Sequence, residues 1–318
     1  MNDAIALLTG NTALLAMAGA LALQWLLPIP AALHPLGIWR QLALLLADKV
    51  NKPQDTPRQQ MMSGLLAGSL MIFTVLIILL CLYQLAWFDL PFHIILLWLA
   101  LDWRTTADFS KQFITAYQHE DKPRCRQLLA EKLNRHTDNL SLLGLGKACA
   151  ETQLLAYGRL VAGVLFWYGL TGGIGALIYR LLISLARTWS PSRQRYQHFG
   201  RPLVTLLAVM DIVPLRLFAV LLSLGHNGKQ ALQSLAKHGE QWQLPGPGWL
   251  LTATGHKLSL SLGGPAIYDN MKMDRPRLGG KIAPAALHLA QIDKLVQTRL
   301  WIWIGIQGLL LVLFQGTL

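Results

Sequence analysis

The chain has 318 residues, 53% hydrophobic and only 14% charged, against about 25% charged in an ordinary soluble domain. That balance argues against a soluble protein and for an integral membrane protein. The net charge of +12 reads as basic loops held on the cytoplasmic side against anionic lipid. No basic stripe with interleaved aromatics occurs, which sets nucleic acid aside as a partner.

In chain order, Ala4 to Leu27 is an apolar run without a basic leader or a small-residue cleavage site, and is expected to be a retained first span rather than a signal peptide. His34-Pro35 follows. From Gly37 to Lys49 the apolar residues recur at helical spacing, which predicts an amphipathic interface helix. Residues 51–58 (NKPQDTPR) are a turn-rich linker. Gly64 to Trp87 is the cleanest span, and its Gly64 and Gly68 form a GxxxG that permits close helix approach. Leu90 to Leu101 is too short to cross alone and is either re-entrant or packed core.

Asp102 to Arg159 is a mixed-charge, soluble segment of two or three helices, one starting at Asp121-Lys-Pro-Arg. Gly144-Leu-Gly-Lys147 fails as a phosphate loop: Ser141 stands where that loop needs Gly, and Ala148 where it needs Ser or Thr. Leu160 to Ala186 is a second apolar stretch, centred on Gly169-Leu-Thr-Gly-Gly-Ile-Gly175, which marks either a broken helix or tight packing. Thr188 to Arg201 is a basic loop.

Pro202 to Leu224 is long enough to span, yet Asp211, Pro214 and Arg216 sit at its middle. Proline predicts a kink or break. Asp211 and Arg216 are expected to pair, either as a self-satisfied ion pair or as the wall of a membrane-embedded polar pocket. Gly225 to Gln297 is a second soluble segment with Gly- and Pro-rich loops, where ligand-binding backbone often lies. Leu300 to Phe314 is a terminal span with Trp301 and Trp303 as interface anchors. Cys81, Cys125 and Cys149 lie far apart with no CxxC, so neither a disulfide framework nor a zinc site is indicated.

The expected fold is therefore an all-α integral membrane protein of about four to six transmembrane or re-entrant helices. It is read as a single domain over 1–318, with spans near 4–27, 64–87, 160–186, 203–224 and 300–314 and two cytoplasmic segments, 102–159 and 225–297. If the glycine-broken and proline-broken stretches are both re-entrant, all basic loops face the cytoplasm, and two broken helices meet at a midplane site.

The carboxy-terminal loops resemble the CobD/CbiB family of cobalamin-biosynthesis membrane proteins. The resemblance rests on Pro245 and Trp249, then Leu262-Gly263-Gly264-Pro265, Tyr268, Asp274-Arg275-Pro276 and Gly279. Upstream it continues colinearly through His34-Pro35, Arg135 with Thr137 and Leu140, Glu151-Thr152, Gly172-Gly173, Tyr179-Arg180, Arg195-Tyr196 and Pro214-x-Arg216-Leu217, so it spans roughly the whole chain. It implies a ligase that joins aminopropanol, as its phosphate, to a corrin side-chain carboxyl of adenosylcobyric acid with ATP and Mg²⁺. It also implies a corrinoid substrate, a multi-pass location in the bacterial inner membrane and other cobalamin-assembly membrane proteins as partners.

Under this resemblance Glu151 and Asp211 are the expected catalytic residues. Glu151 is also the expected metal holder, with helix capping as its alternative. His34, Arg135, Arg180, Arg216, Gly263, Gly264, Pro265, Tyr268, Asp274 and Arg275 are the expected substrate-binding residues. The chain departs from the family pattern in its polar core. The family's Glu-Thr-x-x-Glu-Asn-Thr-x-Asp-Gly reads Glu151-Thr-Gln-Leu-Leu-Ala-Tyr-Gly-Arg159-Leu160, and Asp211 stands where the family has Asn. Asp211-Ile-Val-Pro-Leu-Arg-Leu and Leu224-Gly-His-Asn-Gly-Lys are also similar to AmpE, a regulatory membrane protein, so a non-catalytic sensor or accessory role is the alternative function.

Overall fold

A computed structural model describes residues 11–30, 32–134, 137–138, 140–225, 228–268 and 271–314, without the side chains of 267, 268, 271 and 272. It is mostly helical. The helices are α1 (Thr12–Leu26), α2 (Leu36–Val50), α3 (Pro57–Leu85), α4 (Asp89–Ala100), α5 (Trp103–Gln118), α6 (Lys122–Ala130) and α7 (Leu142–Tyr157). A π-helical turn (Gly158–Gly163) follows, then α8 (Val164–Thr188), α9 (Arg201–Ser223), α10 (Gly228–His238), α11 (Pro245–Lys257) and α12 (Ala286–Leu313). Between α11 and α12 lie four short strands, β1 (Ser261–Gly263), β2 (Ala266–Tyr268), β3 (Met271–Met273) and β4 (Arg277–Gly279). They form two antiparallel pairs, β1 with β4 and β2 with β3. This small β element is the one departure from the all-α expectation.

Among the described residues four helical runs are long and apolar enough to cross a membrane: Pro57–Leu85, Leu142–Thr188, Arg201–Ser223 and Ala286–Leu313. In α3 the Thr56 hydroxyl and the Gln59 side chain cap each other's backbone N–H groups, with Pro57 at the first helical position. Its 29 residues rise about 44 Å, more than the hydrocarbon thickness of about 30 Å. Leu66, Leu70, Phe73 and Ile77 stay exposed along it. In water such a surface invites aggregation, whereas in a bilayer it faces lipid.

The chain divides into two compact units, one of Met1–Arg104, Gly163–Leu207 and Ile304–Leu318, the other of Thr105–Ala162 and Ala208–Trp303. In the first, α4 packs on α1 and α8, and α8 also meets α2 and α3. The short apolar stretch is thus helix α4, with Leu96, Leu97 and Ala100 buried. Close approach explains the GxxxG: a Cβ at Gly64 would lie 1.9 Å from the Phe199 carbonyl oxygen, and one at Gly68 2.5 Å from Leu203 Cδ2. α2 leaves Ile38, Leu42 and Leu45 exposed, an apolar outer face suited to the interface.

In the second unit, α11 packs on α7, α10, β1 and β4, and β1 packs on α7. Asp121 caps α6 by accepting from the Arg124 N–H at 3.0 Å, as the Asp-Lys-Pro-Arg sequence predicts. Trp303 is not an interface anchor. It is 5% exposed, and its indole N–H donates to the Ala162 carbonyl at 3.2 Å. Trp301, 58% exposed, retains the anchor geometry.

Sequence boundaries shift, first at α3, which starts at Pro57 rather than Gly64. The helical run from Leu142 to Thr188 crosses the expected junction at 159/160 without a break. Its irregularities are the π turn and Gly172, whose φ of 67° is non-helical. The terminal helix starts at Ala286 rather than near Leu300. Pro214, by contrast, lies inside a continuous α9.

Candidate functional site

The residues of the Gly-rich loops meet α7 at Glu151. The β1–β4 ladder sets Gly263 opposite Arg277. Between those partners the chain leaves at Gly264, folds into the β2–β3 hairpin and returns through Arg275 and Pro276. Gly263 and Gly264 have φ of 70° and 87°, a left-handed region open to glycine. A Cβ at Gly263 would lie 2.4 Å from the Pro276 carbonyl oxygen and 2.7 Å from Trp242 Cζ3. The turn therefore requires glycine twice over, for its dihedrals and for its space.

Glu151 is 7% exposed. Its Oε1 accepts from the Gly263 N–H at 2.9 Å, and its Oε2 accepts from Arg275 Nη1 at 3.2 Å. Arg275 Nε donates to the Gly264 carbonyl at 2.9 Å, and its guanidinium carbon lies 5.0 Å from the centre of the Trp242 ring. Lys147, one helical turn before Glu151, brings Nζ to 3.2 Å from where a Gly264 Cβ would stand. One carboxylate and one guanidinium thus hold a backbone turn, with the Lys147 ammonium beside it. The arrangement suits an anionic ligand group, and it employs the carboxylate as the clamp of the loop.

Each Glu151 oxygen accepts one hydrogen bond from the loop, which leaves each a further lone pair. Among the described residues no three His, Cys, Asp or Glu side chains gather to hold a metal ion. Pro265 and Asp274 are exposed beside the clamp, and Asp274 does not share in it. The Tyr268 side chain and all of Arg135 lie outside the described residues.

Asp211 is fully buried, and its partner is not Arg216. Arg159, on the π turn, places Nε 2.8 Å and Nη2 2.7 Å from Asp211 Oδ2. A Cβ at Gly246 would lie 2.9 Å from the Asp211 carbonyl oxygen, so the start of α11 packs closely against Asp211. Arg216, one and a half turns further along α9, faces elsewhere. It pairs with Glu240, and its guanidinium lies 4.9 Å from the Trp249 ring centre, while the Trp249 indole N–H also donates to Glu240 at 3.2 Å.

His34 and Arg180 belong to the other unit. Arg180 Nη2 binds Asp102 Oδ2 at 2.8 Å. His34 Nδ1 accepts from the Leu36 N–H at 3.2 Å. Burial first, and then the Arg180 charge, hold the His34 imidazole below its ordinary pKa.

Sequence reasoning did not single out Arg159, Lys147, Trp242, Glu240 or Asp102. Arg159 carried a usable signal, since a base stands where the family has an acid while an acid, Asp211, stands where it has an amide. In the sequence Lys147 stands out only as the lysine of a failed phosphate loop. Its real position follows from its spacing of four to Glu151.

The fold and its polar clusters define a multi-pass helical membrane protein whose Gly-rich loops are clamped by buried charge. The family model described as CobD/Cbib protein matches residues 17–298. A relative from Stutzerimonas stutzeri, described as cobalamin biosynthesis protein CobD, is 30% identical over 304 residues, covering 96% of this chain and 98% of the relative. One of the same description from Chromobacterium violaceum is 30% identical over 65% of this chain and 67% of its own length. Another, from Brucella anthropi, is 26% identical over 69% and 71%. No solved structure matches the chain. The chain belongs to the CobD/CbiB family.

Proposed function

We propose that this protein is the membrane-bound amide-forming ligase of cobalamin biosynthesis. It joins aminopropanol, or its phosphate, to a side-chain carboxyl of adenosylcobyric acid in a bacterial inner membrane. The observation that carries this reading is the clamp of Glu151 on Gly263 and Arg275. Residues 112 and 124 positions apart, marked by the resemblance on separate grounds, share one buried cluster. In this reading Glu151 positions the turn, and Gly263 and Gly264 offer backbone to the corrinoid. Lys147 and Arg275 supply positive charge for its carboxyl groups or for the phosphate of the amine.

Amide formation requires an activated acid, and ATP and Mg²⁺ come with the resemblance. No step is assigned to a metal at this site. The test is conversion in vitro. Membranes carrying the protein are supplied with adenosylcobyric acid, ATP, Mg²⁺ and either amine, and the amide is sought by mass spectrometry. Product formed by the wild type and lost in Glu151→Ala supports the reading. A folded wild type without product contradicts it.

A second reading is a non-catalytic sensor or an accessory subunit working with other cobalamin-assembly membrane proteins. The Arg159–Asp211 pair favours it, because that pair fills two positions where the family pattern has an acid and an amide. Corrinoid retained by the purified protein without turnover is the outcome specific to this reading.

A further inference from the structure

The apolar run of α9 ends at Leu224, where the last carbonyl groups of the helix lack partners within it. The apolar part of α12 begins at Leu300, directly after Arg299. The two helices run antiparallel here. The Phe218 ring meets that of Trp303 with centres 5.9 Å apart, and further along Arg299 Nη2 donates to the Leu224 carbonyl at 2.6 Å. Both apolar runs thus end at one level. Trp301, exposed beside that level, is the residue type that anchors at a membrane–water interface.

A second cation arrives from α11. Its last residue, Lys257, donates Nζ to the same Leu224 carbonyl. Gly225 follows with φ of 96°. A Cβ on it would lie 3.3 Å from Arg299 Nη2 and 3.8 Å from Lys257 Nζ, so both cationic tips rest against this turn.

A basic side chain on the last carbonyls of a helix is an ordinary cap. Two of them on one carbonyl are more than the cap requires, since a helix terminus offers about half a negative charge. Among the described residues neither cation has a carboxylate partner. Burial, and then the Arg299 charge, hold the Lys257 ammonium below its ordinary pKa. Arg299 Nε is buried without a hydrogen-bond partner, although buried N–H groups are ordinarily satisfied. The ammonium keeps further donors beyond the one it spends on Leu224.

We infer that Lys257 and Arg299 bind the phosphate group of an anionic membrane lipid at the end of α9. Phosphate oxygens accept from an ammonium and a guanidinium together, in charge-assisted bonds, and the added charge relieves the repulsion between the two. The level of the site favours a lipid over a soluble anion, because headgroup phosphates lie where apolar spans end. Val213, Leu217 and Leu224 of α9 and Ile302 of α12 are exposed near this end and offer apolar surface to acyl chains. The site shares no residue with the Glu151 clamp and goes beyond the proposed reaction.

The test uses the full chain, purified in detergent and stripped of phospholipid, with thermal unfolding followed by tryptophan fluorescence. Phosphatidylglycerol is titrated beside a neutral glycolipid that lacks phosphate, and inorganic phosphate beside chloride at constant ionic strength. Phosphatidylglycerol is expected to raise the wild-type midpoint. Lys257→Gln and Arg299→Gln should each need about tenfold more of it for the same shift, as loss of a charge-assisted contact requires. Lys281→Gln removes an exposed lysine of the same unit and should respond as the wild type does. If Arg299→Gln does not fold, Lys257→Gln carries the comparison. A role in capping alone lowers the midpoint of the variants without lipid and leaves their lipid-induced shift intact, which overturns the inference. So does a wild type that fails to respond to phosphatidylglycerol, or that responds equally to the glycolipid or to inorganic phosphate.

Discussion

Arg159 and Asp211 form a buried ion pair between the π turn and α9, with guanidinium nitrogens 2.8 and 2.7 Å from one carboxylate oxygen. The π turn is what makes this possible. An extra residue in the helical repeat re-aims the side chain, and at Gly158 beside it a Cβ would lie 2.5 Å from Leu250 Cδ1. The polar middle of an apolar helix is thus neutralised from a neighbouring element rather than by Arg216 on its own.

Breaking this pair leaves a buried charge unmatched. Asp211→Asn is expected to destabilise the protein by about 3–5 kcal/mol, the usual cost of removing one partner of a buried pair. Arg159→Gln added to it is expected to recover much of that loss. Thermal unfolding of the single and double variants in detergent checks both. Additive losses would show that the two side chains act independently.

Gly263→Ala is expected to cost more than the roughly 1–2 kcal/mol of a left-handed backbone, because its Cβ would also meet the Pro276 carbonyl and Trp242. The damage should stay local. Limited proteolysis should cut residues 264–276 faster while the far-ultraviolet circular dichroism is kept. Unchanged cleavage would contradict the clamp.

His34 gives a pH dependence with a definite sign. Its folded pKa lies below the ordinary value of 6.5, so between those two values the unfolded chain binds more protons. Its contribution is fully present above pH 6.5 and is lost as pH falls toward the folded pKa. His34→Asn keeps a side-chain acceptor for the Leu36 N–H and should flatten the unfolding midpoint between pH 7 and 5. An identical acid profile in the variant would assign the sensitivity elsewhere.

Burial pushes the Cys125 thiol up to about 11, and Cys149 has no exposed surface. Neither should react with maleimide at pH 8 until the protein is unfolded. Modification of either in the native state, read by mass spectrometry, would contradict the packing of α6 on α7.

What could be read from the sequence follows how local each signal is. The body of the α3 span was plain because an apolar run needs no partner to declare itself, whereas its first turns, capped by Thr56 and Gln59, read as linker. The Gly64–Gly68 motif announced a close approach but not that Phe199 and Leu203 make it. The early start of α12 was hidden by Asp293 and Lys294, which read as soluble-segment charges. In the structure Asp293 accepts from the Tyr157 hydroxyl at 2.7 Å, and Arg299 donates to the Leu224 carbonyl at 2.6 Å. Glu151, Gly263, Gly264 and Arg275 were each named from the family pattern, and the fold brings them together. The Arg159–Asp211 pair was not named, because it joins residues 52 positions apart through a helical irregularity that no periodicity reveals.

The most direct test of the proposed function is complementation. The gene is placed in a strain lacking its own CobD/CbiB enzyme, and cobalamin-dependent growth is scored on cobyric acid with aminopropanol. Growth is expected with the wild type and lost with Glu151→Ala. Failure of the wild type to support growth, with the protein present in the membrane, would contradict the ligase and leave the accessory role.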